Sequence, residues 1–318
     1  MPATPAKRSS RRKLPLWTHA TAGVLAGSAS CTLLYPTDLV RVKMQVDVGV
    51  VDGRGLAASR PVGYGSTLES IRTVAHADGW RGLYRGLSPA LFGSAVSWGL
   101  YFSQYERSKR RYADGGALGH AAASAEAAAV TVVATNPVWV IKTRLQLQTS
   151  AEVRPSAYVS RPAAYRGALD ALRTILRDEG AAGLFRGLTP ALVVGVAHGG
   201  VQFSVYEQLK ALAQRRRDGE EPHWAVPALN GAISKMAANF VTYPLQVVRS
   251  RLHQRGGVDR GGIGLRAPLV EIGRMVRVEG WRAFFKGLSP TLLRVAPSGA
   301  ISFLVYENVV KAFRTNGL

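Results

Sequence analysis

Three prolines in the sequence are each followed by a basic residue at the same distance. The base stands five positions after the proline, and the pairs are Pro36 and Arg41, Pro137 and Lys142, and Pro244 and Arg249. Two positions after the proline the first copy has an acid, Asp38, whereas the other two have Trp139 and Gln246. On a helix, side chains three residues apart lie on one face. This spacing is suited to ion pairing between helices, and bases that lack an acid are suited to binding anions.

A second set of acids follows later in the chain with the same three-residue spacing to a base. Glu106 and Lys109 form one such pair and Glu207 and Lys210 another, whereas Val310 stands where Glu307 would need its base. Two interpretations are open. The residues form a second layer of at most two interhelical ion pairs, or they are local pairs on a helix surface.

Catalytic constellations do not accompany these charges. The sequence has no Gly-x-x-x-x-Gly-Lys phosphate loop, no nucleophile elbow and no paired Cys/His set. Its single cysteine, Cys31, cannot form an internal disulfide. We therefore expect a protein that is not an enzyme and needs neither a metal nor a cofactor.

The elements that position the charges are repeated three times. Leu-Ser-Pro or Leu-Thr-Pro stands at 87–89, 188–190 and 288–290, each time after an acid–Gly pair and an aromatic–base–Gly triplet. Such a period indicates a tandem array of one structural unit. The predicted organisation is a basic tail over 1–16 and repeats over 17–113, 114–218 and 219–318.

Each repeat contains two apolar stretches of a length that spans a bilayer as a helix. The second stretches carry almost no charge, and they are Leu87–Tyr105, Leu188–Tyr206 and Leu288–Tyr306. The first stretches are more polar, and they are Trp17–Val40, Gly116–Ile141 and Ala225–Val248. Shorter amphipathic segments lie between them, at Ser66–His76, Ala168–Asp178 and Pro268–Val278. The loop over Val46–Tyr64 is aperiodic, and we expect it to be mobile.

The net charge of +21 suits two kinds of partner, nucleic acid and an anionic membrane surface. A nucleic-acid-binding solenoid would place its bases in stripes beside exposed aromatic residues. Here the bases cluster at the ends of the apolar stretches instead. The sequence thus predicts an all-α membrane protein of six transmembrane helices, with no nucleic-acid partner.

The three signatures Pro36-Thr37-Asp38-Leu39-Val40-Arg41, Pro137-Val138-Trp139-Val140-Ile141-Lys142 and Pro244-Leu245-Gln246-Val247-Val248-Arg249 resemble those of the mitochondrial carrier family. The resemblance implies six tilted helices in three pseudo-symmetric repeats, with the amphipathic helices on the matrix side and prolines that kink the odd-numbered helices. It also implies a monomer with a matrix gate at the proline signatures, including an Asp38–Lys142 pair. The alternative to a gate role for Trp139 is a lipid-facing or interfacial aromatic residue.

The same resemblance assigns two further sets of residues. The second charged layer becomes a cytoplasmic gate, formed by Glu106, Lys109, Glu207, Lys210 and Glu307. Cardiolipin headgroups would bind beside Gly86, Gly187 and Gly287, because the helix N-termini that follow attract phosphate. Alternatively, these glycines serve only the turn.

Trp139 and Gln246 within the signatures resemble the branch that carries folate, FAD, NAD and pyrimidine nucleotides. Stretches such as Ser97-Trp98-Gly99 and Leu293-Arg294-Val295 look closest to the mitochondrial folate/FAD carrier. The candidate substrate-binding residues offer cations, ring faces and hydrogen bonds, and they are Trp98, Glu126, His198, Lys235 and Arg294. We expect the cations inside the bundle to be unpaired and so free to bind carboxylates or phosphates, and they are Arg41, Lys235, Arg249 and Arg294. For Trp98 and His198 the alternative is ordinary packing, and for Glu126 it is a structural pair with Lys235 or Arg294.

The expected function is therefore transport of folate or FAD by alternating access across the mitochondrial inner membrane, or across a plastid envelope. An NAD or pyrimidine-nucleotide carrier of the same branch is the alternative. A membrane scaffold or uncoupler with the same fold is the alternative from another class. Such a protein would not need cations on several helices inside the bundle.

Overall fold

The computed structural model describes residues 16–47, 66–112, 116–148, 165–215, 225–254 and 264–315. Within these ranges the regular structure is helical and contains no strand, which confirms the all-α prediction. The basic tail up to residue 15 and the predicted mobile loop from residue 48 onwards lie outside them.

Each of the three repeats contains a long first span, an amphipathic helix and a long second span. The first spans (α1 with α2, α5 and α8) are called the odd spans below, and the second spans (α4, α7 and α10) are called the even spans. The first repeat contains α1 (Leu16–Leu33), α2 (Tyr35–Val46), α3 (Thr67–Gly82) and α4 (Leu87–Arg111). The second contains α5 (Gly116–Leu147), α6 (Ala168–Glu179) and α7 (Leu188–Arg215). The third contains α8 (Ala225–Leu252), α9 (Arg266–Val278) and α10 (Leu288–Thr315). Short 3-10 turns, Ala181–Phe185 and Trp281–Phe285, precede α7 and α10.

The signature prolines interrupt only one of the three odd spans. Leu34 separates α1 from α2, and Pro36 then lies in the first turn of α2, where no helical hydrogen bond is lost. Pro137 and Pro244 lie inside α5 and α8, which run through them as continuous helices. A continuous helix can still bend at an internal proline, so the kinks expected at Pro137 and Pro244 stay a prediction.

Length and mean hydropathy identify three of the long helical stretches as candidate membrane spans. Within the described chain these are Leu118–Leu147, Ala181–Gln214 and Trp281–Phe313. The other long elements are interrupted, as between α1 and α2, or carry more polar residues, as α4 and α8 do. A helix that faces the bundle interior tolerates such residues better than one that faces lipid.

The repeats pack against one another in a closed ring. α4 lies along α5, α7 lies along α8, and α10 returns to lie along α1. Ser30 and Ser298 hydroxyls, 3.0 Å apart, link the first and last of these helices. Each long even helix is thus held mainly by the odd helix of the next repeat, so no repeat is a self-contained domain.

Each repeat also has a small apolar core, where the end of the odd span meets the amphipathic helix. In the first repeat Leu39 packs against Val74 and Leu83, and all three are buried. Ile141 with Ile175 and Val247 with Met275 take the equivalent places in the other repeats. The amphipathic helices predicted between the spans are therefore present, and their apolar faces anchor them to the bundle.

A buried carboxylate lies beside each of these cores and is held by two bases. The acid precedes a glycine, one base lies seven positions after the proline, and the other base precedes the glycine of the aromatic–base–Gly triplet. The sets are Asp78 with Lys43 and Arg85, Glu179 with Arg144 and Arg186, and Glu279 with Arg251 and Lys286. The recurrence of these residues is visible in the sequence, but their pairing was not predicted from it.

Arginine makes the strongest version of this contact. Arg144 donates to both oxygens of Glu179, at 2.7 and 2.8 Å, which is the bidentate geometry that suits a guanidinium. Lys43 approaches Asp78 only at 3.5 Å. Removing Glu179 from the second set would leave the buried Arg144 without its charge partner, a change that typically costs about 3–5 kcal/mol.

Glu271 on α9 adds a second carboxylate to the third set. It lies 3.8 Å from Arg251 and 3.1 Å from Arg274. The pKa of Glu271 is raised to about 7, chiefly by burial and also by the neighbouring Glu279, while Arg251 opposes the shift. Because folding raises this pKa, Glu271 stabilises the protein at low pH, and that contribution is lost as the pH rises through about 7.

Replacing Glu271 with Gln should therefore flatten the pH dependence of unfolding. We expect the unmodified protein to lose on the order of 2 kcal/mol between pH 4.5 and pH 7.5 that the variant does not lose. Thermal unfolding in detergent across this range measures the difference. Asp178→Asn, which changes an exposed acid on α6, is the control and should keep the original slope. Parallel profiles for Glu271→Gln and the unmodified protein would contradict the assignment.

Candidate functional site: a charged cluster inside the bundle

Asp38 on α2 is the centre of a cluster that joins three long spans. Lys142 on α5 donates to its Oδ2 at 2.6 Å, and Arg294 on α10 donates to its Oδ1 at 2.9 Å. Gln146 adds a bond at 3.3 Å, and Arg41, one turn away on α2, lies at 3.7 Å. The Asp38 side chain is only 7% exposed, so its charge depends on these partners. The predicted Asp38–Lys142 contact is confirmed.

Gln246 stands at the acid position of the third signature and accepts a hydrogen bond from a base there, although it has no charge. Its Oε1 accepts from Arg41 at 2.6 Å, and its Nε2 donates to Thr242 at 3.0 Å. The expectation that Arg41 has no carboxylate partner was wrong, because Asp38 lies within ion-pair distance on the same helix. Arg41 is therefore shared between an acid on its own helix and an amide on α8.

Trp139 gives the second signature a different arrangement. The Nζ of Lys142 lies 5.2 Å from the centroid of the Trp139 ring, a cation–π distance, and the indole N–H donates to Thr135 at 3.2 Å. Trp139 thus interacts with the base of its own signature and offers nothing to Arg249. In the described chain no carboxylate lies within 4 Å of Arg249, and its Nε is buried without a hydrogen-bond partner.

Arg294, Lys235 and His198 lie in one region on α10, α8 and α7. Arg294 was expected to be unpaired, and this was wrong, because it binds Asp38 while remaining 40% exposed. Lys235 is near enough to Arg294 for their charges to interact, and His198 interacts electrostatically with both Lys235 and Arg41. His198 also lies 3.3 Å from the Thr242 hydroxyl. Three of the five candidate substrate-binding residues are thus brought together beside the gate residues.

Glu126 on α5 has a different partner from the ones considered. Arg111, near the end of α4, donates to its Oε1 at 2.7 Å, and Gln104 does so at 3.3 Å. The structural alternative that paired Glu126 with Lys235 or Arg294 was therefore wrong. The close packing of α4 along α5 explains the outcome, since it brings the basic end of α4 over Glu126. The second oxygen, Oε2, is buried and has no hydrogen-bond partner.

Trp98 is 62% exposed and makes its ring contacts with residues of its own helix. Its ring stacks on Phe102 with centroids 5.7 Å apart and meets Tyr101 edge-on at 6.3 Å. These contacts leave much of the indole free of protein. The ring is thus available to a flat ligand or to a lipid chain.

The second charged layer does not form interhelical pairs in this conformation. Glu207 meets Lys210 at 3.6 Å on α7, and Glu307 meets Lys311 at 3.8 Å on α10. Glu106 has no ion pair within 4 Å in the part of the chain that the structure describes. The prediction that Glu307 lacks a base was wrong, because Lys311 takes that place while Val310 is buried.

The three glycines before α4, α7 and α10 are required by conformation and by packing. Gly86, Gly187 and Gly287 have φ of 83°, 69° and 79°, a region that side chains rarely adopt. A Cβ on each would lie 2.9–3.2 Å from the carbonyl oxygen of Lys142, Arg249 or Arg41 respectively. Each glycine therefore lets a turn of one repeat touch the odd span of another. This role is separate from the predicted binding of lipid.

Hydrogen bonds between repeats that were not predicted from the sequence lie nine residues after each signature proline. Gln45 donates to the Tyr243 hydroxyl and Gln146 to the Tyr35 hydroxyl, both at 3.1 Å. In the third repeat the same position is His253, whose Nδ1 lies 3.2 Å from the Thr143 hydroxyl of the second repeat, while its Nε2 has no partner. The recurrence of glutamine at one distance from the proline was the signal that could have revealed these bonds.

A ring of long helices, with charges gathered inside it and charge pairs at the other end of the even spans, is the architecture of a membrane carrier. The family described as "Mitochondrial carrier protein" matches residues 12–116, 113–217 and 220–317. The chain belongs to the mitochondrial carrier family.

Among its relatives, Folate transporter 1, chloroplastic, of Arabidopsis thaliana is 43% identical over 94% of this chain and 96% of that protein. Nicotinamide adenine dinucleotide transporter 2, mitochondrial, of the same plant is 33% identical over 93% of this chain and 79% of its own length. Mitochondrial pyrimidine nucleotide transporter RIM2 of Saccharomyces cerevisiae is 29% identical over 93% and 85%.

Replacing Trp139 with Asp should stabilise the bundle, because the new carboxylate would give Arg249 a partner. A gain of about 1 kcal/mol would raise Tm by roughly 2–4 °C. Trp139→Asn has nearly the same shape without the charge and is the matched control, since both variants lose the contact with Lys142. Thermal unfolding in detergent measures the difference between the two. Equal Tm values would show that no carboxylate at 139 reaches Arg249.

Proposed function

We propose that the protein carries folate, FAD or both across an organelle inner membrane by alternating access. The observation that carries the proposal is the imbalance of charge in the cluster around Asp38. Five bases lie at or beside it, and they are Arg41, Lys142, Lys235, Arg249 and Arg294. Asp38 is the one carboxylate that the structure describes among them. A solute with several negative charges would balance this excess.

The chemistry of the two solutes suits the arrangement. Folate ends in carboxylates and FAD contains two phosphates, and both groups pair well with guanidinium and ammonium. Each solute also has a flat ring system, for which the exposed face of Trp98 offers a stacking surface. The unpartnered Oε2 of Glu126 is an acceptor for a ring N–H. Arg294, Lys235 and His198 would hold the anionic end.

The cluster at the proline signatures would act as the matrix gate, and the charges on α4, α7 and α10 as the cytoplasmic gate. In this conformation the first is formed, while the ion pairs that the structure describes for the second, Glu207–Lys210 and Glu307–Lys311, each lie within one helix. This pattern supports a carrier that is closed towards the matrix and open on the opposite side. Transport would break the Asp38 contacts and join the second layer across the helices.

The names of the relatives bear on the membrane in which the protein would work. Their names include both chloroplastic and mitochondrial transporters, so we propose the mitochondrial inner membrane, with the plastid envelope as the alternative. The glycines that open α4, α7 and α10 expose helix N-termini suited to cardiolipin phosphates. A monomer suffices, because the ring of six long spans closes within one chain.

Two other functions compete with this proposal. A carrier of NAD or pyrimidine nucleotides would use the same cations, and relatives with those names are less similar than the folate transporter. A scaffold or an uncoupler would retain the fold without needing a solute. Uptake into proteoliposomes across a panel of folate, FAD, NAD and a pyrimidine nucleotide distinguishes these functions.

Arg294→Ala should abolish uptake while the protein remains folded and inserted. The residue is exposed inside the bundle and would lose its contact with both Asp38 and the solute. We expect uptake in proteoliposomes to fall at least about 100-fold, which corresponds to two charge-assisted hydrogen bonds. Arg282→Ala, at an exposed arginine in the turn before α10, is the control. Near-normal uptake by Arg294→Ala would remove this residue from the site.

The empty carrier should reorient without a counter-substrate. The matrix gate contains one interhelical acid, so fewer ionic contacts have to break than in a gate of three acid–base pairs. Each such contact contributes on the order of 1 kcal/mol, and about 1.4 kcal/mol changes a rate tenfold. We expect measurable net uptake of substrate into vesicles that contain none. Strict dependence on internal substrate would show that the number of pairs does not set the coupling.

A further inference from the structure

Arg249 is a partly buried cation without a counter-charge in the described chain. It lies one turn before the end of α8, and its Nε is shielded from solvent and makes no hydrogen bond. Across the residues that the structure describes, no aspartate or glutamate approaches it within 4 Å. Arginine cannot shed its proton in a protein, so the charge remains.

The other two bases of the signatures show what Arg249 lacks. Lys142 has the carboxylate of Asp38, and Arg41 has the amide oxygen of Gln246. By the pseudo-symmetry of the ring, the side chain opposite Arg249 should be that of residue 139. Trp139 instead directs its ring towards Lys142 and its N–H towards Thr135. One of the three positions between the repeats therefore has a cation and no acceptor.

A partly buried guanidinium without a partner is unfavourable, because its Nε has lost water and gained no hydrogen bond in return. Arg41 lies close enough to Arg249 to add repulsion of like charges. A mobile anion would offset both effects without a change in the sequence.

We propose that Arg249 binds an oxyanion, a phosphate or a carboxylate, at the place that the missing acid of the second signature leaves between α5 and α8. An oxyanion is favoured over a halide because two of its oxygens match the guanidinium fork. The anion has two sources, free inorganic phosphate or an anionic group of the transported solute. The second of these sources rests on the proposed transport function, whereas the binding of an oxyanion at Arg249 does not.

Thermal unfolding of the full-length protein in detergent tests the binding directly. Inorganic phosphate replaces chloride at constant ionic strength, so that general screening does not change. A ligand that binds the folded state should raise Tm by roughly 2–4 °C for each tenfold increase above its Kd. We expect this response in the unmodified protein and in Arg177→Gln, which changes an exposed base on α6.

Two variants locate the site. Arg249→Gln should lose the response to phosphate, and Trp139→Asp should lose it as well, because its own carboxylate then occupies the place. Trp139→Asn should keep it. If Arg249→Gln does not fold, the comparison of Trp139→Asp with Trp139→Asn still decides. Equal responses in Trp139→Asp and Trp139→Asn, or in Arg249→Gln and the unmodified protein, overturn the proposal.

Repeating the titration with saturating folate distinguishes the two sources. A response to phosphate that disappears identifies a carboxylate of the solute as the anion at Arg249, whereas a response that persists identifies a free oxyanion. Uptake into proteoliposomes is measured separately. A protein that binds phosphate through Arg249 but takes up no solute would refute the transport function alone, and the reverse result would refute this site alone.

Discussion

The contact of Asp38 with Lys142 and Arg294 holds together the part of the bundle on which everything else depends. One carboxylate joins α2, α5 and α10, which belong to three different repeats. Its low exposure makes the contact strong, and it also makes the loss of any one partner costly. Because Arg294 is more exposed than the others, under the proposed function it is the partner that an anionic solute would reach first. The acid that joins the three repeats would then also be connected to the place where a solute enters.

The buried acid–base sets beside α3, α6 and α9 give this contact a rigid surrounding. Each set ties the end of an odd span to the turn that begins the next even span, and an apolar core lies beside it. These sets repeat nearly unchanged, whereas the signature positions Asp38, Trp139 and Gln246 differ in all three repeats. Stability is thus provided by the symmetric part of the bundle. Under the proposed function, the asymmetric part would supply the chemistry that distinguishes one solute from another.

The sequence predicted the helices and the three repeats because apolar length and a period of about one hundred residues are one-dimensional signals. The Asp38–Lys142 contact was expected from the resemblance to the family, because spacing alone does not say which helices become neighbours. It could not predict the partners of Glu126 and Arg294, because each depends on how far a long side chain reaches across a helix pair. The local contact of Glu307 with Lys311 was missed for a simpler reason, a base displaced by one position. The lipid and solute roles of the named residues remain proposals.

The glycines before α4, α7 and α10 have a consequence for how such a chain evolves. Gly86 touches the backbone of the second repeat, Gly187 that of the third, and Gly287 that of the first. A side chain introduced at one of these glycines would therefore crowd the backbone of another repeat. Three copies of an ancestral unit joined in this way cannot drift apart independently. A change in the shape of one repeat must therefore be compatible with the repeat that its glycine contacts.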